Sequence, residues 1–508
     1  MAPGHGTEDG HLQKGLRQRH LTMIAIGGVI GAGLFVGSGA IIQEVGPAAF
    51  LTYALTGVLI VMVMRMLGEM AVANPSTGSF ADYARQAMGG WAGFSVGWLY
   101  WYFWVIVVGF EAVAGAGVLR RWVPGVPLWL MSLVLMLLMT ATNMFSVSSY
   151  GEFEYWFAGV KVFTIIVFIG LGSLFVLGLW PGRSMDFSNL VDHGGFFPNG
   201  VGSLFSGIVI VVFSMVGAEI ATIAAAESAE PERGIVRATN SVVLRISVFF
   251  VGSIFLLATI LPWNSTELGE SPYVAAMAEI GIPGAADIMN FVVLTAVLSC
   301  LNSGLYTASR MLFVLSARNE APARMLAINK RGVPAWAILA STVVGFACVI
   351  AAYVSPDQVF LFLLNSSGAI ILFVYLLICV SQLRLRGRTP PERLTVKMWF
   401  HPVLAILTAV AIVGVLVQMF LREGTRSQIL LSLLAWGLVL VAYALRRKAI
   451  GEAHLTETGV AAEQRADRWM HEHGAAAEIE VDAAVGEGPL DPAIIRRARE
   501  EGYPNEGA

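Results

Sequence analysis

From His20 to Arg446 the sequence is a series of apolar runs, each about twenty residues long, divided by short polar loops. At about 1.5 Å per helical residue such a run crosses the ~30 Å hydrocarbon core of a bilayer. Backbone groups in lipid must bond within the protein, so the series folds as a bundle of membrane helices. Composition agrees: 56% of residues are apolar and 13% charged, against about 45–50% and about 25% in soluble globular chains. That pattern excludes a soluble enzyme, a disulfide-stapled secreted domain, a nucleic-acid binder and a disordered chain. Met1 to Gln13 contain no apolar stretch of the kind a cleavable leader needs, so the first run is expected to be a membrane span.

Twelve spans are expected, at 20–42, 46–72, 91–119, 127–145, 155–180, 203–226, 237–262, 285–316, 334–353, 358–381, 401–421 and 427–446. The eighth is longer than one crossing and is expected to release its last turn into a loop. Basic residues set the orientation. With a cytoplasmic N-terminus, Lys14, Arg17, Arg19, Arg310, Arg384 and Arg447 lie inside with most other Lys and Arg. The opposite loops hold Arg120, Arg121, Arg183, Arg422 and Arg426. This asymmetry follows the positive-inside rule and puts both termini in the cytoplasm. The expected organisation is a segment 1–19, a first repeat 20–180, a second repeat 203–381, two further spans within 401–446, and a tail 449–508. The tail is acidic and poor in apolar residues, as a solvated extension is. Cys300, Cys348 and Cys379 all fall inside spans and read as small buried hydrophobes. The close pair His471 and His473 lacks the spacing of a zinc site. No metal and no cofactor are expected.

Two spans contain what a continuous membrane helix avoids. The first reads Gly27-Gly28-Val29-Ile30-Gly31-Ala32-Gly33-Leu34-Phe35-Val36-Gly37, five glycines in eleven positions, each costing about 0.8–1.0 kcal/mol relative to Ala in a helix. Close packing between helices is one explanation. The sixth places Ser214, Gly217 and Glu219 inside an apolar run. Spans 1 and 6 are corresponding positions if the first ten spans are two repeats of five. Paired interruptions of that kind point to a transport site between two broken helices. Free N–H groups at such a break suit a carboxylate and free carbonyls suit an ammonium, so a zwitterionic amino acid matches both.

Ionisable residues inside spans are the other candidates, since a charge at mid-bilayer costs about 2.5–3.5 kcal/mol on insertion scales. Arg65 and Glu69 lie one turn apart near the inner end of span 2 and are expected to pair at i,i+4. Glu111 in span 3, Lys161 about two turns into span 5, and Glu219 in span 6 are candidates for moving a proton. Burial disfavours the charged form of an amine and so suits a lysine to gain and lose a proton near neutral pH, and Lys161 is expected beside Asn302 and Ser303 of span 8.

The runs GLRQRHLTMIAIGGVIGAGLFVGSG, MRMLGEMAVANPSTGSFADYA, SSYGEFEYW, VFSMVGAEIATIAAAE, IVRATNSVVLRI and LNSGLYTASRML resemble the amino acid transporter family of the amino acid–polyamine–organocation superfamily. The resemblance extends from about Gly15 to Arg447, and within the family it is nearest to bacterial γ-aminobutyrate permeases. It implies an all-α polytopic protein of the leucine-transporter type, with two inverted five-helix repeats and two additional helices. It also implies proton-coupled import of an amino acid across the bacterial inner membrane. On matching positions, Gly31, Ala32 and Gly33 would meet the substrate carboxylate, and carbonyls of Val29, Phe213 and Val216 the ammonium. Lys161 matches a lysine that stands where sodium-coupled relatives hold an ion. Many relatives carry Ser or Thr where this chain has Ala32, which removes a hydroxyl from the site. The competing readings are an exchanger of amino acids or amines, a permease for α- or aromatic amino acids, an intramembrane enzyme and a channel. The enzyme lacks clustered nucleophile, base or metal residues in this sequence. The channel does not account for paired broken helices.

Overall fold

The computed structural model describes residues 30–73, 79–145, 147–217, 219, 233, 240, 242–269, 271–329 and 332–451. Val29 and the rest of 20–29, the segment 1–19 and residues 452–508 of the tail lie outside the described residues. Among the described residues, twelve apolar helices follow in the expected order. Nine of them, among the described residues, are long and apolar enough to cross a bilayer, and the described parts of spans 1, 4 and 6 are shorter apolar helices. Span 1 is Ala32–Phe35 followed by Gly37–Val45, span 2 is Ala49–Ala73 and span 3 is Gly90–Leu119. Span 4 is Leu128–Asn143, span 5 is Val147–Val176 and span 6 is Ser203–Met215. Span 7 is Val242–Ile260, span 8 is Ala285–Ala317 and span 9 is Ala335–Val354. Spans 10 to 12 are Pro356–Arg386, Val403–Leu421 and Glu423–Ile450. Proline marks several starts: Pro127, Pro334 and Pro402 precede spans 4, 9 and 11, and Pro356 opens span 10. A helix start loses nothing by proline's missing N–H.

Burial orders the spans around a centre. The most apolar stretches of spans 3 and 10 are each 83% buried and that of span 8 is 78%, against 28% for span 11 and 22% for span 12. Spans 3, 8 and 10 are therefore the interior, and spans 11 and 12 face lipid with residues such as Val410 and Leu438. Small residues bring the central helices together. A Cβ on Gly304 of span 8 would lie 3.1 Å from Val108 of span 3, and one on Gly109 would lie 2.5 Å from Cys348 of span 9.

Two expectations are corrected. Span 8 does not shed its last turn; it is one helix of 33 residues. Its end is held in protein rather than released to water. Arg318 reaches Asp82 at 2.9 Å, and Arg85 pairs with both Asp82 and Glu320, all four side chains being almost wholly buried. Asp82 and Arg85 come from the short helix Ser79–Met88, which lies between spans 2 and 3. Nor do Arg65 and Glu69 pair. Glu69 turns to span 10, accepting from Gln382 Nε2 at 2.8 Å and Arg386 Nη1 at 2.5 Å, and also takes the Met398 N–H at 2.5 Å. Arg65 donates to the Lys397 carbonyl at 2.9 Å and lies over the Trp399 ring. Fixed partners across the fold are available to both, and each outcompetes a flexible pair along one helix surface.

Candidate functional site

The two interrupted helices meet. In span 1 Gly31 is extended (φ −130°, ψ −151°), helix begins at Ala32, and Val36 interrupts it again before Gly37. In span 6 the helix ends at Met215, Val216 is extended in ψ (150°), and Gly217 takes φ +98°. That left-handed conformation is open to glycine at no steric cost. Contact between the breaks depends on a second glycine: a Cβ on Gly33 would lie 2.9 Å from both Cα and Cβ of Ser214 and 3.2 Å from Phe213 Cδ1.

Beside this contact lies a small cavity of about 20 Å³, lined among others by Gly33, Trp104, Glu111, Phe213, Val216 and Cys300. Its volume admits about one water, so a substrate enters only as the surrounding helices part. Among the described residues that line it, Glu111 is the one ionisable carboxylate. Both carboxylate oxygens accept the Ala32 N–H, at 3.2 and 3.1 Å. Gly31 makes room for that group, since a Cβ there would sit 2.5 Å from Glu111 Oε1 and 2.6 Å from Cys300 Cβ. A span 3 carboxylate thus already occupies a backbone N–H freed by the span 1 break. Trp104, 4% exposed, lines the same cavity, with its six-membered ring against Gly304.

The remaining candidates lie around this centre in different ways. Glu219 does not line the cavity. It braces the span 6 break, accepting the Gly217 N–H at 2.9 Å, the Tyr100 hydroxyl at 3.1 Å and the Tyr375 hydroxyl at 3.3 Å. Lys161 is fully buried and donates to Ser299 Oγ of span 8 at 2.7 Å. The expected neighbour Asn302 is instead turned to span 4, where Asn143 Nδ2 donates to it at 2.6 Å. Sequence reasoning missed Glu154, which Ser299 links to Lys161. It sat one residue outside the expected start of span 5, whereas the helix begins at Val147. Seven residues separate Glu154 from Lys161, nearly two helical turns, which puts both on one face; that spacing was the available signal. Phe103, Trp104 and Val107 of span 3 and Cys300 of span 8 were missed as individual lining residues because an all-apolar helix offers no contrast between its faces.

The amino acid permease family matches residues 20–450 of this chain. The chain belongs to that family. The permease is 55% identical over 441 residues to the γ-aminobutyric acid permease of Bacillus subtilis (strain 168), a match covering 86% of this chain and 94% of the relative. It is 49% identical over 441 residues to the γ-aminobutyric acid permease of Escherichia coli (strain K12), covering 86% and 95%. An aromatic amino acid transport protein of Corynebacterium glutamicum is 40% identical over 440 residues. Among solved structures, a mutant of the Eremococcus coleocola manganese transporter shares the fold with a TM-score of 0.53 at 13% identity, covering 86% of this chain and 95% of that one. The permease is thus an all-helical, multi-pass membrane protein with the fold expected of paired broken helices, the leucine-transporter type.

Proposed function

We propose that this permease imports γ-aminobutyrate, or a closely related small zwitterionic amino acid, together with protons across the bacterial inner membrane, with both termini in the cytoplasm. The observation that carries the reading is the small cavity between the two breaks, lined among the described residues by one carboxylate, Glu111, and by apolar and aromatic side chains. Such a site suits a compact solute whose charges are met mainly by backbone groups. Gly31, Ala32 and Gly33 would receive the substrate carboxylate, and the carbonyls of Val29, Phe213 and Val216 its ammonium. Lys161, Glu111 and Glu219 are the buried titratable groups assigned to proton coupling. The names of the two relatives at 55% and 49% identity support the choice of substrate.

Radiolabelled uptake in proteoliposomes, with and without an imposed pH gradient, tests the proposal. γ-Aminobutyrate is expected to accumulate only with the gradient and to be competed poorly by alanine and phenylalanine. Strong competition by an α-amino acid with none by γ-aminobutyrate moves the substrate to a general or aromatic amino acid. Counterflow without net uptake makes the protein an exchanger.

A further inference from the structure

One buried lysine has a carboxylate beside it and a second within electrostatic reach. On span 5, Glu154 and Lys161 are both fully buried, and Ser299 of span 8 sits between them. Lys161 Nζ donates to Ser299 Oγ at 2.7 Å, Ser299 lies 2.7 Å from each Glu154 oxygen, and the direct Lys161–Glu154 distance is 3.8 Å. The next residue on span 8, Cys300, borders Glu111 on the cavity side. The charge of Lys161 acts on Glu111 as well as on Glu154. With all three ionised the set carries one net negative charge, and one added proton makes it neutral. Charge buried away from water is strongly disfavoured unless balanced, so the neutral set is the one that closes within protein.

We propose that Glu154 is the fixed counter-ion of Lys161, a positioning residue that keeps the lysine charged and leaves Glu111 to bind and release the coupling proton. This rests on the proton-coupled reading above. From the outer side the Glu111 carboxylate takes up one proton and becomes a carboxylic acid; on the inner side it returns that proton to water and is a carboxylate again. Protonation weakens its hold on the Ala32 N–H, which the substrate carboxylate then takes over. Proton and substrate therefore bind together, each tightening the other.

Groups from several elements face this set. Span 8 presents Ser299, Cys300 and Ser303, and span 1 contributes the Ala32 backbone. Arg245 of span 7 acts on Glu219 and Tyr375, and Glu219 is bound by Tyr100, Tyr375 and the Gly217 N–H. That second cluster meets the span 6 break from the other side and leaves the charge count of the first unchanged.

The test is charge counting by substitution, read in proteoliposomes with radiolabelled γ-aminobutyrate as gradient-driven accumulation and as counterflow across a range of pH. One coupled proton sustains about tenfold accumulation per pH unit. Glu154→Gln leaves Lys161 and Glu111 neutral without a proton, so accumulation is expected to vanish while counterflow survives and no longer varies with pH. Lys161→Gln leaves two carboxylates and no cation, and accumulation is expected to be lost. The double variant Lys161→Gln with Glu154→Gln leaves Glu111 alone, again neutral with one proton, and is expected to regain gradient-driven accumulation. A structural pair also tolerates loss of both charges, but its loss in Glu154→Gln would remove counterflow together with accumulation, so pH-independent counterflow in that single variant is the readout that separates the two. A proton carried on Lys161 predicts no accumulation in the double variant. Wild-type accumulation with a Glu154→Gln variant that still concentrates substrate overturns the inference, as does a double variant no better than Lys161→Gln or without counterflow. Wild-type protein that ignores the gradient removes the proton-coupled reading itself, and the inference with it.

Discussion

Gly33→Leu is expected to abolish uptake while the protein still inserts into the membrane. The reason is contact between backbones. A Cβ at this position would already lie 2.9 Å from Ser214 Cα, and a Cα atom moves only if the span 6 break moves with it. Leucine then adds three further carbons beside a cavity of about 20 Å³, so the side chain takes the space a substrate needs. Overpacking of this kind costs about 1–3 kcal/mol in a packed interior, and the filled site removes binding on top of that. Substrate affinity should fall by at least about 100-fold, roughly 2.7 kcal/mol, with Gly33→Ala intermediate. Binding measured on purified protein, beside surface expression, checks both halves. Near-normal affinity in Gly33→Leu would sink the assignment of the site to the paired breaks.

The sequence carried the breaks but not what fills them. Glycine density in span 1 and the Ser214, Gly217 and Glu219 lesion in span 6 are local signals, and both interruptions stand where they were expected. Their partners are not local. Glu111 meets the Ala32 N–H from 79 residues away, and Ser299 joins Glu154 from 145 residues away. Nothing in a run of apolar residues indicates which neighbour a buried carboxylate will find. Glu69 shows the same limit from the other side: an adjacent Arg65 on its own helix looked sufficient, yet Arg386, 317 residues on, took the contact. Span ends were blurred for a related reason. The polar run before Glu154 reads as a loop by hydropathy, and span 8 reads as too long for a bilayer. Both continue as helix, and at the end of span 8 it is protein that meets the charges.

That ionic contact at the end of span 8 is where a single substitution should cost the most stability. Asp82 and Glu320 supply two negative charges, and Arg85 and Arg318 two positive ones. Burial, with the Arg318 charge beside it, lowers Arg85 to about 10, still well above neutral pH, so Arg85 stays charged and the four groups balance. Asp82→Asn removes one charge without changing the shape, takes away the carboxylate that Arg318 reaches, and leaves two guanidinium groups against the single charge of Glu320. Breaking a buried ion pair by neutralising one partner costs about 3–5 kcal/mol, whereas deleting both charges is often close to neutral. Asp82→Asn should therefore lower both the thermal midpoint in detergent and the yield of folded protein. The double variant Asp82→Asn with Arg318→Gln should recover much of the loss, because it restores balance at Arg85 and Glu320. Since these groups join the helix Ser79–Met88 to span 8 and lie away from the cavity, whatever Asp82→Asn protein does fold should bind substrate with unchanged affinity. An unaltered midpoint in the single variant, or a double variant less stable than the single, would show that the cluster does not anchor this end of span 8.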